Sequence, residues 1–250
     1  MRMNNATDVK EHYNKYLFTR PNESAIQKFL QDEELLFGLV RPEELSDDII
    51  DLGCGTGRIL KLLELSGKRK LTGIDFSTEC LKSAKENLKY TKLKEMDVTD
   101  LSEIKEQFET VICFGVAHHT TEPKKVFKEC VRLCKTNGMI LYGVSKKYSI
   151  RYYDYILLNR FVKFLFRNRI VPWSYPLFKL WFFVLNKRWV SDKQLVIRLS
   201  DRYLNPIIKF STVEQIERLC EENNVWIEKI NYDSSLICLL IRKCQLKDMT

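Results

Sequence analysis

The stretch IIDLGCGTGRIL, from Ile49 to Leu60, decides the fold. It joins an apolar run of strand length to three closely spaced glycines (Gly53, Gly55, Gly57) and then to an apolar segment of helical period. Glycine has no Cβ, so it allows tight turns and a close approach of ligand to backbone. In an open α/β sheet the ligand sits beyond the carboxyl ends of the strands, and the first strand-to-helix turn is the usual cradle. Asp75 closes the next strand-like run, KLTGIDF, where a carboxylate can accept hydrogen bonds from both hydroxyls of a ribose. The spacing Gly-x-Gly-x-Gly is not the Gly-x-Gly-x-x-Gly of dinucleotide enzymes, and no Gly-Lys-Ser/Thr follows as in a nucleotide phosphate loop. Asp51, two residues before Gly53, opposes a phosphate and suits a cationic ligand.

Outward from this turn the chain alternates strand-length apolar runs with helical patterns. Strands are expected at 48–53, 70–76, 93–98, 108–116 and 139–144. Helices are expected at 56–66, after the cap Ser77, and from Pro123 to a stop at Asn137-Gly138. A capped helix at 211–224 precedes two last strands, 225–232 and 235–244, joined by a short Asp233-Ser234 turn. So short a join makes that pair antiparallel, because a parallel crossover needs a dozen or more residues. Five βα-like units and a terminal hairpin read as an α/β, doubly wound sheet of seven strands with an antiparallel last strand. There are no internal repeats or low-complexity tracts.

The 250 residues are 45% hydrophobic and 30% charged, a mix that excludes wholesale disorder. The segment MRMNNATDVKEHYNKY lacks the apolar core of a secretory leader, and no run reaches the roughly 18 apolar residues of a membrane span. The eight cysteines form no Cys-x-x-Cys pair. Cys130 and Cys134 lie four apart on a helix, but no His or further Cys completes a metal set, so no metal site is expected. Buried free thiols in a reducing cytoplasm are the reading. The net charge of +8 is concentrated: residues 146–188 hold ten Lys/Arg and one acid, Asp154, and thirteen aromatic side chains.

DLGCGTG, GIDFS and EMDVTDL together resemble the class I S-adenosylmethionine-dependent methyltransferases, over roughly residues 45–145 and 210–244. The resemblance implies a Rossmann-like sheet and S-adenosyl-L-methionine as cofactor. It places Gly53, Cys54, Gly55 and Gly57 in the turn under the methionine and ribose. Asp51 would organise that turn and meet the cofactor's amino group, and Asp75 would take the ribose hydroxyls. Asp97 and the Val98 backbone would meet the adenine, with Phe76 against its ring, while Phe114 and Gly115 would contact the methionine end. Glu109 departs from the Asp the family often has there.

GVAHHTTEP follows the fourth strand, at the mouth of the site in this fold, and is similar to the LHHT segment of many bacterial methyltransferases. His118 and His119 are the candidates for a general base, since a His titrates near 6.5; a purely structural role in the loop is the alternative. His12 and Tyr13 fall where similar enzymes carry a lid. Residues 1–44 are thus expected to be a helical lid segment, 45–145 the cofactor-binding core, 146–210 a basic, aromatic helical cap for substrate, and 211–250 the helix and hairpin that complete the core.

Pro172 and Pro176 should break the cap into at least two helices, with Phe161, Phe164 and Leu165 on its apolar stripe. Its simplest reading is an apolar face over the site and a solvated basic face. The sharper reading is contact of 146–188 with an anionic membrane surface, and nucleic acid is the weaker partner. The expected activity is methyl transfer to a small-molecule acceptor, lipophilic or anionic. RNA or protein methylation and a non-catalytic cofactor-binding scaffold are the alternatives. The sequence carries no signal of oligomeric state.

Overall fold

Ile49, Ile50 and Leu52 are fully buried in β1 (Asp48–Leu52) because this strand lies between two others and is covered on both faces. The structure, a computed structural model, describes residues 6–17, 23–32, 34–186, 189–232 and 235–243. β2 (Lys70–Asp75) and β4 (Phe108–Phe114) flank β1 in parallel, with β3 (Lys92–Glu95) outside β2 and β5 (Cys134–Ser145) outside β4. β7 (Leu236–Arg242) runs antiparallel to β5, and β6 (Trp226–Tyr232) forms the edge, giving the order β3-β2-β1-β4-β5-β7-β6. This is the doubly wound, seven-stranded sheet expected. The Asp233-Ser234 turn lies outside the described residues.

Helices α1 (Ala6–Lys15) and α2 (Glu23–Gln31) precede the sheet. α3 (Arg58–Leu65), α4 (Thr78–Asn87), α5 (Pro123–Leu133) and α9 (Val213–Glu222) are the amphipathic helices that cover it. Ser77 caps α4 as expected, its Oγ accepting from Cys80 N–H, and Thr212 and Gln215 form a reciprocal cap on α9.

Three sequence expectations need correction. Residues 96–107 contain no helix, so the unit between β3 and β4 is a loop, anchored by buried Leu101 and Ile104. β3 stops at Glu95 rather than 98, because Asp97 Oδ1 accepts from both the N–H and the hydroxyl of Thr99 and turns the chain. α5 ends at Leu133, not at Asn137-Gly138. Cys134 is already extended, and Asn137 takes φ 64° inside β5, where the pairing with β4 shifts register.

Between β5 and α9 the chain builds the cap. It consists of α6 (Ile150–Arg167), a 3-10 turn at Val171–Ser174, α7 (Tyr175–Asn186), α8 (Asp192–Leu199) and a widened turn at Ser200–Leu204. Pro172 and Pro176 break it as expected, and α8 is an additional helix. The cap has its own core, in which Val162, Leu165, Phe178 and Phe182 meet Leu195, Leu199 and Tyr203. Asp154, buried, accepts from Tyr203 Oη at 2.7 Å and pairs with Arg202. Phe161 and Phe164 do not join this core: only Leu165 of that trio packs inward, and the two rings face solvent. Lys187 and Arg188 lie outside the described residues. The chain leaves and re-enters the sheet at one narrow neck, where Lys146 and Ser211 form a bridge and Ser211 N–H donates to Ser145 O at 2.9 Å.

Candidate active site

At the carboxyl ends of β1, β2 and β4 lies a cavity of about 810 Å³. Its floor is the glycine turn. The N–H groups of Gly53 and Cys54 both donate to Ile74 O, at 2.7 and 2.9 Å, which folds the turn across the end of β2. Gly53 has φ 77°, and a Cβ there would lie 2.3 Å from Val116, so only glycine fits. Gly55, at φ 55°, meets nothing within 4 Å of its Cβ position, and its N–H donates to Asp75 Oδ2 at 2.8 Å. Asp75 Oδ1 accepts from Ser77 N–H at 2.8 Å, so the carboxylate is held by backbone at both oxygens. Burial still pushes the Asp75 carboxyl upward.

Asp51 is the electrostatic centre of this floor. Its carboxyl is 2% exposed, and Oδ2 has no hydrogen-bond partner. Burial first, and the neighbouring Asp75 second, push it up to about 7. An orphaned buried acceptor beside a second carboxylate is a position for a cation. Asp97 and Val98 line the same cavity beyond Asp75, and Phe76, Phe114 and Gly115 line its walls. The Phe114 ring stacks on Phe37, with centroids 3.3 Å apart.

The far wall is built by the 118–121 segment, α1 and the cap. His118 and His119 are both buried, yet their hydrogen bonds assign them different tautomers. Ile207 O, which can only accept, lies 2.8 Å from His119 Nδ1, so the proton is on Nδ1 and Nε2 keeps its lone pair. His118 Nδ1 instead accepts from Ser145 N–H at 3.3 Å, and its backbone carbonyl accepts from Lys209 N–H at 2.8 Å. Burial lowers the pKa of both imidazoles, for His119 partly offset by Asp201, so the rings stay neutral near pH 7. Tyr13 reaches over from α1, its ring 6.1 Å from that of His119, and its hydroxyl accepts from Asn205 Nδ2 at 2.8 Å. Burial raises Tyr13 well above the usual phenol range.

Asp51, Gly53, Cys54, Gly55, Asp75, Phe76, Asp97, Val98, Phe114, Gly115, His118, His119 and Tyr13 all line one cavity. Two expected residues do not. Gly57 sits behind the turn against Leu88 and starts α3, and His12 packs between Tyr13 and Tyr16 with its pKa lowered to about 4 by burial. The sequence reading missed Arg151 and Asp201, which line the cavity from the cap and pair at 3.4 Å, and the apolar annex of Ile26, Phe29, Leu36 and Phe37. The available signal for Arg151 was its place in the first turn of a helix capped by Ser149, immediately after the fifth strand.

Residues 50–142 match the family model described as a methyltransferase domain. Over 99 residues the chain is 32% identical to the phosphatidylethanolamine N-methyltransferase of Cereibacter sphaeroides, covering 37% of this chain and 48% of that protein. It is 27% identical over 143 residues to the ubiquinone biosynthesis O-methyltransferase of Pseudomonas syringae pv. tomato, covering 50% and 61%. Among solved structures, the magnesium protoporphyrin IX methyltransferase of Synechocystis, with bound S-adenosylhomocysteine, superposes with a TM-score of 0.51 at 13% identity, over 95% of this chain and 86% of that one. The chain spans about half the length of the curated relatives it matches. The match places a methyltransferase domain over residues 50–142, and the strand order is that of the doubly wound, seven-stranded sheet.

Proposed function

We propose that the chain is an enzyme that transfers a methyl group from S-adenosyl-L-methionine to a small-molecule acceptor. The observation that carries this reading is the pairing, in one cavity, of a buried, unpartnered Asp51 oxygen with a His119 whose Nε2 bears a free lone pair. The residues fit the cofactor. Asp51 offers its charge to the amino group, Asp75 has lone pairs left for ribose hydroxyls, the Gly53–Gly57 turn lets a ligand lie on the backbone, and Asp97 with Val98 lines the cavity beyond Asp75, available to an adenine. When bound, the cofactor supplies an electrophilic methyl on a sulfonium that leaves as a neutral thioether.

The protein's work is then positioning and proton removal. His119 Nε2 takes the proton from the acceptor's O–H or N–H as the acceptor atom bonds to the methyl, and Ile207 O holds the imidazole in the tautomer that can do so. His118 is a positioning residue that ties the segment to β5 and to the returning cap chain. Tyr13, fixed by Asn205, closes the acceptor end as part of a lid formed by the N-terminal segment, and Arg151 with Asp201 forms its polar wall. The apolar annex and the cationic Arg151 suit an acceptor that is lipophilic, anionic or both.

These positions support a division into lid, core, cap and completing hairpin, with 146–210 as the acceptor-binding insertion. The buried cysteines among the described residues support a reducing, cytoplasmic setting, and the cap supports contact with the anionic inner membrane face. Methyl-labelled S-adenosylmethionine, purified protein and a lysate of its source provide the test. Label in the organic or aqueous small-molecule fraction is expected. Label confined to the acid-precipitable fraction would move the assignment to RNA or protein, and tight cofactor binding without transfer would favour a scaffold.

A further inference from the structure

α6 and α7 are apolar on two sides. Their inner sides form the cap core through Val162, Leu165, Phe178 and Phe182. Their outer sides are apolar as well: on α6, Leu157 is 75% exposed, and Phe161 and Phe164 stand one turn apart beside it. Trp173, in the connecting turn, is 89% exposed, Leu177 on α7 66%, and Trp189 64%. Every exposed side chain described on α7 is uncharged, because its one cation, Lys179, turns to an ion pair with Asp192 of α8. A helix apolar all round belongs in a protein interior or in lipid, and patches beyond a few hundred Å² mark interaction surfaces.

The charge around this face is predominantly positive, its exposed acid Asp192 being taken up by the ion pair with Lys179. Arg160, Lys163, Arg167 and Arg169 are exposed along it, and the only acid of the 146–188 window, Asp154, is buried beneath the cap. A second copy of the chain would bring the same cations face to face. A bilayer containing anionic lipid satisfies both halves of the surface: Trp and Phe side chains enter the headgroup boundary, and the cations meet lipid phosphates. No helix among the described residues is long and apolar enough to cross a membrane, so the contact is peripheral.

We infer that the outer face of α6, the 173 turn and α7 docks flat on an anionic lipid bilayer, and that this face feeds the cavity. The docking rests on the surface alone; the feeding rests on the methyl-transfer reading above. α6 connects the two. Its first turn carries Arg151 in the cavity wall, and about 20 Å of the same helix runs from there to Phe164 on the lipid face. The acceptor class that follows is a molecule dissolved in the bilayer, with its reactive group at the headgroup level.

The test is flotation of the full chain with vesicles of phosphatidylcholine, alone or mixed with phosphatidylglycerol, read also by the emission of Trp173, Trp181 and Trp189. The expected result is co-flotation and a blue shift with the mixed vesicles. Leu157→Ser, Trp173→Ser and Leu177→Ser combined should abolish both. Arg160→Gln, Arg167→Gln and Arg169→Gln combined should weaken binding to mixed vesicles roughly fivefold per cation. All six positions are exposed, and unchanged S-adenosylhomocysteine binding by calorimetry verifies that each variant is folded. The inference is overturned if the unaltered chain stays with the unbound fraction, if the serine variant floats equally well, or if the face holds a dimer that the serine variant splits. Flotation without any cofactor binding by the unaltered chain would instead sink the proposed activity and leave the docking intact.

Discussion

The glycine turn and the cap form opposite walls of one cavity by different means. In the turn, the functional atoms are held by backbone within a few residues of each other: Gly55 N–H and Ser77 N–H fix Asp75, and Ile74 O fixes the turn itself. In the cap wall, each functional atom depends on a partner far along the chain. His119 is oriented by a carbonyl 88 residues later, and Tyr13 by an amide 192 residues later. The first wall is rigid because a parallel sheet buried on both faces surrounds it. On the proposed function, the first wall serves cofactor binding and the second acceptor chemistry.

The largest expected effect that tests this separation is at His119. His119→Ala should lower turnover by about 10²–10⁴ while S-adenosylhomocysteine binds unchanged in calorimetry; equal losses in both would erase the distinction between the walls. Because burial lowers the His119 pKa, the neutral base persists as pH falls, and with the cofactor saturating the acid limb of kcat/KM for the acceptor should lie below the ordinary histidine value of about 6.5. Asp75→Ala should do the reverse, weakening S-adenosylhomocysteine by about 3 kcal/mol, roughly a hundredfold, through two lost charge-assisted hydrogen bonds.

A tenfold effect is expected at Asp51. With its pKa raised to about 7, the free carboxyl is protonated at lower pH, and a cationic ligand must displace that proton. Affinity should therefore be flat above about pH 7 and fall about tenfold per unit below it, a slope that Asp51→Asn abolishes in pH-dependent titrations. The smallest effect is at Tyr13→Phe, which removes the acceptor of Asn205 Nδ2. It should speed hydrogen exchange in the Ser200–Leu204 turn roughly fivefold, about 1 kcal/mol, with no change at the glycine turn.

The same contrast explains what the sequence made legible. The floor could be read because its chemistry is local: the glycine spacing, Asp51 and Asp75 sit on consecutive strand ends, and the fold needs them there. Arg151, Asp201 and Ile207 could not be read as site residues, since their role depends on how the cap returns over the sheet. Nor could the direction of Phe161 and Phe164 be read, because α6 carries apolar side chains on both sides and its periodicity does not say which is inner. Asn137-Gly138 resembled a helix stop because left-handed asparagine commonly occurs there, but the same conformation serves an irregular strand.

The neck at Lys146 and Ser211 has a consequence for how such a chain diversifies. The two points where the cap departs and returns are bonded neighbours, so the intervening residues close a loop whose ends the sheet already holds together. Lengthening that loop costs little more, since each doubling adds only about 0.6 kcal/mol. The cap is therefore a transplantable module. On the proposed function, a different insertion grafted between residues 146 and 211 would inherit the cofactor floor, and would have to supply a carbonyl for His119, partners for Tyr13 and the His118 carbonyl, and a wall for its own acceptor.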